Sequence, residues 1–109
     1  MKVLDPNGNC FFYAAASAAL DPGLTLVRGR HSKQWPEDTC HFWCEDKDGN
    51  VIDPTADQYE SGECLDGEPA DLMANLDYVI EDPLFKYLDS EEQAQIRQLW
   101  REREAQHGR

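Results

Sequence analysis

The sequence predicts an α+β domain: an N-terminal helix carrying a cysteine, packed on a small antiparallel β-sheet, with helices following toward the C-terminus. Three features predict it. Residues 10–20, CFFYAAASAAL, are apolar or small on nearly every side, the composition of a helix buried on most faces. Residues 39–46 and 50–53 flank the turn sequence KDG as the arms of a hairpin. Helical periodicity then returns over about 69–105. With 109 residues the chain has room for one domain and one modest core, the core lying in 8–59 and the helical part following it.

Residues 1–9 are a short lead-in with a strand-like turn at Val3 and Leu4. The first helix ends at DPG, 21–23, because Pro22 cannot continue it and Gly23 frees the turn. LTLVRG, 24–29, reads as a strand, and 30–38 as a polar loop holding one large apolar group, Trp35. In the hairpin, a three-residue loop of Lys47, Asp48 and Gly49 needs Gly49 in the left-handed region. That loop pairs Asp46 with Asn50 and sets Trp43 opposite Asp53. His41 then falls on the same face, diagonal to Asp53 and within side-chain reach. A two-residue loop would turn Asp53 to the other face. Beyond it, ADQYESGECLDGEP is acidic and reads as irregular. ADLMANLDYVI (about 70–80) reads as a helix, and Pro83 opens a short one, PLFKYL. Ser90 with Gln93 makes a capping box for a last helix over 91–105, with Ile96, Leu99 and Trp100 on one stripe.

Acidic residues number 22 against 10 basic, a net charge of −12. Direct binding to a nucleic-acid backbone or an anionic membrane is therefore not expected, since both repel such a surface within a Debye length of roughly 8–10 Å. A basic protein or peptide partner is compatible with it, as is plain solvation. No apolar run approaches the ~18 residues of a membrane span, and MKVLDP does not read as a secretory signal. The expectation is a cytoplasmic chain in which Cys10, Cys40, Cys44 and Cys64 are free thiols. Zinc at Cys40, Cys44 and a histidine conflicts with strand alternation, which faces the two cysteines one way and His41 the other. No metal or cofactor is expected.

A thiol is a nucleophile only as thiolate, and a helix N-terminus favours that form through its unpaired N–H groups and dipole. Cys10 stands at such an end, behind Asn7, Gly8 and Asn9, a bend that lets N–H groups point at a developing oxyanion. A histidine must serve as base and acid, and a carboxylate must orient it. His41 and Asp53 fit those roles in chain order and on one face. Each also has a structural reading: a buried thiol, a core histidine, a turn-capping aspartate before Pro54. Trp43 either shields the His–Asp contact from water or is simply core. Gln58 and Tyr59 either line the cleft or pack the loop. Arg28 pairs with an acid or meets a substrate carboxylate, and the carboxylates at 60, 63, 66 and 68 form a solvated rim. His31 is the lesser candidate for the base.

GNCFFYAAASAALDPGLTLVRG followed by HFWCEDKDGNVIDPT resembles the core of the transglutaminase-like branch of the papain-like cysteine protease superfamily. The shared pattern is a Gly-x-Cys helix start, a small-residue helix, a strand ending near Arg-x-Gly, then His-x-Trp and a hairpin closing on Asp-Pro-Thr. It covers about residues 8–55, half the chain. The resemblance implies Cys10 as nucleophile, His41 as general base and Asp53 as its orienting acid. There are departures. The chain is far shorter than full-length transglutaminases, with no calcium site, pro-segment or substrate-binding domain. Leu4 stands where papain has its oxyanion glutamine, leaving Asn7, Asn9 or the Cys10 N–H as substitutes. NGNC also resembles the Asp-Gly-Asn-Cys of ovarian-tumour-type deubiquitinases. The expected activity is cysteine-dependent acyl transfer on a protein or peptide, hydrolysis of a peptide, isopeptide or side-chain amide before transamidation. The alternative is a non-catalytic acidic interaction protein on the same scaffold, such as a phage-encoded inhibitor or DNA mimic.

Overall fold

The computed structural model describes residues 1–31, 40–58 and 63–107. Trp35, Tyr59 and Glu60 lie outside the described residues, as does most of the 30–38 loop. The fold is α+β. Helix α1 (Cys10–Leu20) precedes strands β1 (Thr25–Arg30), β2 (His41–Glu45), β3 (Val51–Ile52) and β4 (Leu65–Pro69), and helices α2 (Leu76–Glu81) and α3 (Ser90–His107) follow. The strands form one antiparallel sheet in the order β3-β2-β1-β4. No helix among the described residues is long and apolar enough to cross a membrane.

The small residues of α1 set its distance from the sheet. Ala14, Ala15 and Ala16 are wholly buried, and with no side chain beyond Cβ they let the helix lie close against β2. The Cys44 thiol donates to the Ala14 carbonyl at 3.2 Å. Leu26 and Cys44 are register partners on this face, where they join Phe12, Leu76, Val79, Phe85 and Ile96 in the main core. Alternation turns their neighbours Val27 and Trp43, also partners, to the opposite face. The sheet therefore has two buried sides.

Trp43 dictates what can lie over it. A Cβ on Gly29 would come within 2.4 Å of both the Trp43 ring and the Leu65 carbonyl, and one on Gly67 within 2.7 Å of the same ring. Both positions must be glycine for β1 and β4 to close over the indole. This explains why β4 is not legible in the sequence, where its residues read as irregular. LDGEP has almost no intrinsic strand preference. It pairs only as an edge with β1, through an irregular register between Arg28 and Arg30, with Asp66 at a φ of 57°.

Three further expectations need correction. Val3 and Leu4 form no strand; the Leu4 N–H donates instead to the Tyr13 hydroxyl at 3.1 Å, which ties the lead-in to α1. The helix expected over 70–80 is a 3₁₀ turn at Met73–Asn75 followed by the short α2. Asn75 breaks it by donating its side-chain amide to the Asp71 carbonyl, the local competition that disfavours asparagine inside helices. The capping box of α3 lies one residue earlier than Ser90 and Gln93. Asp89 accepts from the Glu92 N–H at 2.7 Å while Glu92 accepts from the Asp89 N–H at 3.1 Å. Gln93 instead donates to the Leu88 carbonyl. Asp77 joins α2 to α3, accepting from Trp100 Nε1 at 2.6 Å and from Arg103 at 3.0 Å.

Replacing Gly29 with alanine should destabilise the fold by about 2–3 kcal/mol, because the new methyl meets both an indole and a backbone carbonyl and neither can yield cheaply. Urea denaturation followed by tryptophan fluorescence measures it.

Candidate active site

The geometry of the site begins at the hairpin turn. Asp46 Oδ1 accepts from the N–H groups of Asp48 and Asn50, both at 2.9 Å, and Gly49 takes a φ of 82°. The Asp46 N–H donates to the Asn50 carbonyl, while Cys44 pairs with Ile52 and Glu45 with Val51. This is the three-residue loop expected from KDG. Continued by one residue beyond Cys44 and Ile52, the register sets Trp43 opposite Asp53 and His41 diagonal to it. His41 Nε2 and Asp53 Oδ2 are 2.7 Å apart, with the imidazole wholly buried.

Asp53 is itself oriented by Thr55. The carboxylate Oδ1 accepts from the Thr55 N–H at 3.0 Å and from the Thr55 hydroxyl at 3.3 Å, the turn an aspartate makes with the residue two ahead. Gln58 donates to the Thr55 hydroxyl at 3.0 Å and accepts from the Gly8 N–H at 3.2 Å. The Asp-Pro-Thr loop is thereby tied to the bend that leads into α1. Trp43 stacks on His41 with ring centres 5.7 Å apart and planes inclined by 29°, closing the imidazole from one side.

Cys10 completes the group. Burial alone would push its thiol pKa up; the hydrogen bond to His41, the N–H groups of Phe42 and Phe11 and the imidazole charge outweigh it and hold the pKa below the ordinary 9.0. Burial would push His41 down, but Asp53, Cys10 and Cys64 hydrogen-bond to it, and its pKa rises from 6.5 to about 11. Both shifts favour one pair, a thiolate beside an imidazolium. Asp53 holds the Nε2 side of the ring. Asp53, desolvated but bonded to His41 and Thr55, is held below its ordinary 3.8.

The other residues singled out from the sequence take different places. Asn9 occupies the position before α1 but makes no side-chain cap there; its amide donates to the Asp5 carbonyl at 3.0 Å. The Asn7 N–H donates to Asp5 Oδ1 at 3.2 Å. Neither bond presents an amide N–H to the sulfur. Arg28 is exposed and stands in register with Glu68. Of the rim carboxylates, Asp66 pairs with Arg30, whose Nε donates to it at 2.8 Å. All four cysteines are free. Cys44, buried against α1 and near the Asp53 charge, is pushed up to about 12, an inert structural thiol, while Cys40 is exposed.

Two residues join the site that the sequence did not place there as a pair. His31, buried, meets His41 edge to face with ring centres 5.3 Å apart. Burial first, then the His41 charge, lowers its pKa. The signal lay in the β1–β2 register: Gly29 pairs with His41, so a residue just beyond β1 arrives beside that ring. The Cys64 thiol lies 3.7 Å from Asp53 Oδ2, brought there by β4 and hence with no local signal. Among the described residues, His31, Asp53 and Cys64 have ligand atoms within 4.8 Å of one another, the one grouping with the donors to hold a metal ion. Its carboxylate is already bonded to His41 and Thr55.

No protein-family model, curated protein or solved structure matches this chain. The chemistry must be argued from the residues: a thiol inclined to ionise, an imidazole inclined to hold a proton, and a carboxylate fixing the imidazole, all beside a helix N-terminus.

The Asp53–His41 contact has a direct test. Asp53→Asn removes the anion that favours the charged imidazole, so the His41 pKa should fall from about 11 by about 1–3 units. Histidine ring signals followed by NMR against pH measure it.

Proposed function

We propose that this chain is a cysteine-dependent acyl-transfer enzyme working through Cys10, His41 and Asp53, on an architecture like that of the papain and transglutaminase superfamily. The observation that carries the reading is the meeting of three groups from distant parts of the chain, with the thiol pKa lowered and the imidazole pKa raised. Isolated burial would shift both the other way.

In this reading the Cys10 thiolate attacks the carbonyl carbon of an amide. The C–N bond breaks, the His41 imidazolium gives its proton to the departing amine or ammonia, and a thioester remains on the sulfur. Water then attacks the thioester while His41 takes its proton. The C–S bond breaks, releasing a carboxylic acid and restoring the thiolate–imidazolium pair. An amine in place of water gives transamidation. Asp53 orients the ring and stabilises its charged form. With no side chain capping α1, the Cys10 N–H at its start is the donor for the oxyanion, in place of the glutamine that Leu4 replaces. Hydrolysis of a peptide, isopeptide or side-chain amide ranks before transamidation.

The test is thiol reactivity against pH. A lowered thiol pKa means that more thiolate is present below the ordinary 9.0, so iodoacetamide should label Cys10 faster at pH 6 than it labels an ordinary thiol. In His41→Ala burial acts with the main opposing group gone, and the labelling curve should move to higher pH. Each unit of that move costs about tenfold in thiolate at pH 6. Labelling of Cys10 no faster than that of an ordinary thiol would remove the enzyme reading.

The net charge of −12 favours a second reading, an acidic binding module. It predicts tight binding of a basic protein that survives Cys10→Ala unchanged, together with an unprimed thiol.

A further inference from the structure

The surface opens into a groove of about 420 Å³ lined by Phe11, Phe42, Asn75, Tyr78 and Asp82. Two of its lining residues adjoin the reacting groups through their backbone. Phe11 follows Cys10 and Phe42 follows His41 in the sequence, and the N–H groups of both phenylalanines bond to the Cys10 sulfur. The two rings meet edge to face with centres 5.1 Å apart. Tyr78 on α2 forms a wall with 65% of its surface exposed. Asp82, just past α2, is fixed because its Oδ1 accepts from the Leu84 N–H at 2.8 Å.

Resting on the acyl-transfer reading, we propose that this groove binds a basic side chain, lysine or arginine, on the acyl-donor peptide. Three rings and one carboxylate face the space, and no lining residue is a cation. A long methylene stem gains apolar contact along Phe11 and Phe42 while its charged head stays near water. The head meets the Tyr78 ring face and the Asp82 carboxylate. An acidic side chain would meet Asp82 and the −12 of the whole chain; an apolar one gains only the stem contact. The acyl half stays joined to the sulfur until the thioester is resolved, so a groove whose Phe11 and Phe42 N–H groups bond to that sulfur is placed to hold that half.

Peptidyl vinyl sulfones carrying arginine, norleucine or glutamate next to the warhead test this, with Cys10 labelling rates read by intact mass. An exposed ion pair together with one cation–π contact corresponds to a preference for arginine over norleucine of about fivefold. The glutamate probe should be slowest, and 0.5 M salt should shrink the differences. Asp82→Asn, which keeps an oxygen to accept from Leu84, should bring the arginine-to-norleucine ratio near one. Glu91→Gln, removing the same charge from α3, should leave the ratio as it was. Arginine and norleucine rates within twofold of each other, or a preference that survives Asp82→Asn, would overturn the groove assignment. An iodoacetamide control separates the two readings. A primed Cys10 with no probe preference sinks the groove alone, whereas an unprimed Cys10 sinks both.

Discussion

A buried imidazole that carries a proton is tolerable only beside a fixed anion, and much of this structure answers to that constraint. Desolvation opposes the charged form of His41; without Asp53 that form would lose its strongest support, and Cys10 would be less well served by the group that holds its proton away. The Asp53 carboxylate must therefore be near the ring and must be unable to leave. The turn at Asp46, Gly49 and Asn50 secures the first requirement through register, since a slip of one residue would send Asp53 to the α1 face. Thr55 and Gln58 secure the second, and Gln58 reaches on to the Gly8 N–H, so the carboxylate and the bend before Cys10 share one hydrogen-bonded chain. Breaking an ion pair from one side leaves the other charge uncompensated, which costs more than the pair itself contributes.

The two faces of β2 show how strongly position decides the chemistry of one residue type. Cys44 faces α1, donates to a helix carbonyl and is pushed up to about 12. Cys10 faces an imidazolium and two N–H groups and is held below 9.0. Both are substantially shielded from water, so burial cannot account for the difference; the charge and donors in contact do. The same alternation sends Trp43 to the His41 side. There its indole requires glycine at 29 and 67, and the resulting closeness of β1 and β4 seals the imidazole. Packing and chemistry are thus not separable on that face: the glycines serve the tryptophan, and the tryptophan excludes water from the histidine.

How much of the fold and site is legible in the sequence depends on how local each signal is. Helix α1 is legible because its apolar run and its DPG stop lie within the same fourteen residues. The hairpin is legible because one glycine fixes the loop length, and loop length fixes the register of His41 against Asp53. The α3 start is legible only to within a residue, since Asp89–Glu92 and Ser90–Gln93 both satisfy the capping pattern and the sequence does not rank them. β4 is not legible at all. Its residues are selected by what they must not be, bulky over Trp43, and by an edge position that tolerates Pro69. Cys64 is invisible for the same reason, because its place beside Asp53 depends on a strand with no strand signature.

The acidity of the chain raises a physical question about the site, since a surplus of carboxylates disfavours a thiolate. Distance resolves it. Charges farther than roughly 8–10 Å through solvent are largely screened, so most of the 22 acidic residues have little hold on the sulfur. Asp53, the carboxylate bonded to His41, has its charge matched by that ring, and the groups touching the sulfur are an imidazole and two N–H donors. The local environment of Cys10 is therefore cation-like inside an anionic molecule. Long-range charge governs which molecules approach, whereas short-range charge governs what happens to a carbonyl once it arrives. Under the proposed reading, a basic peptide is drawn in by the first and meets the Asp82 carboxylate in the groove.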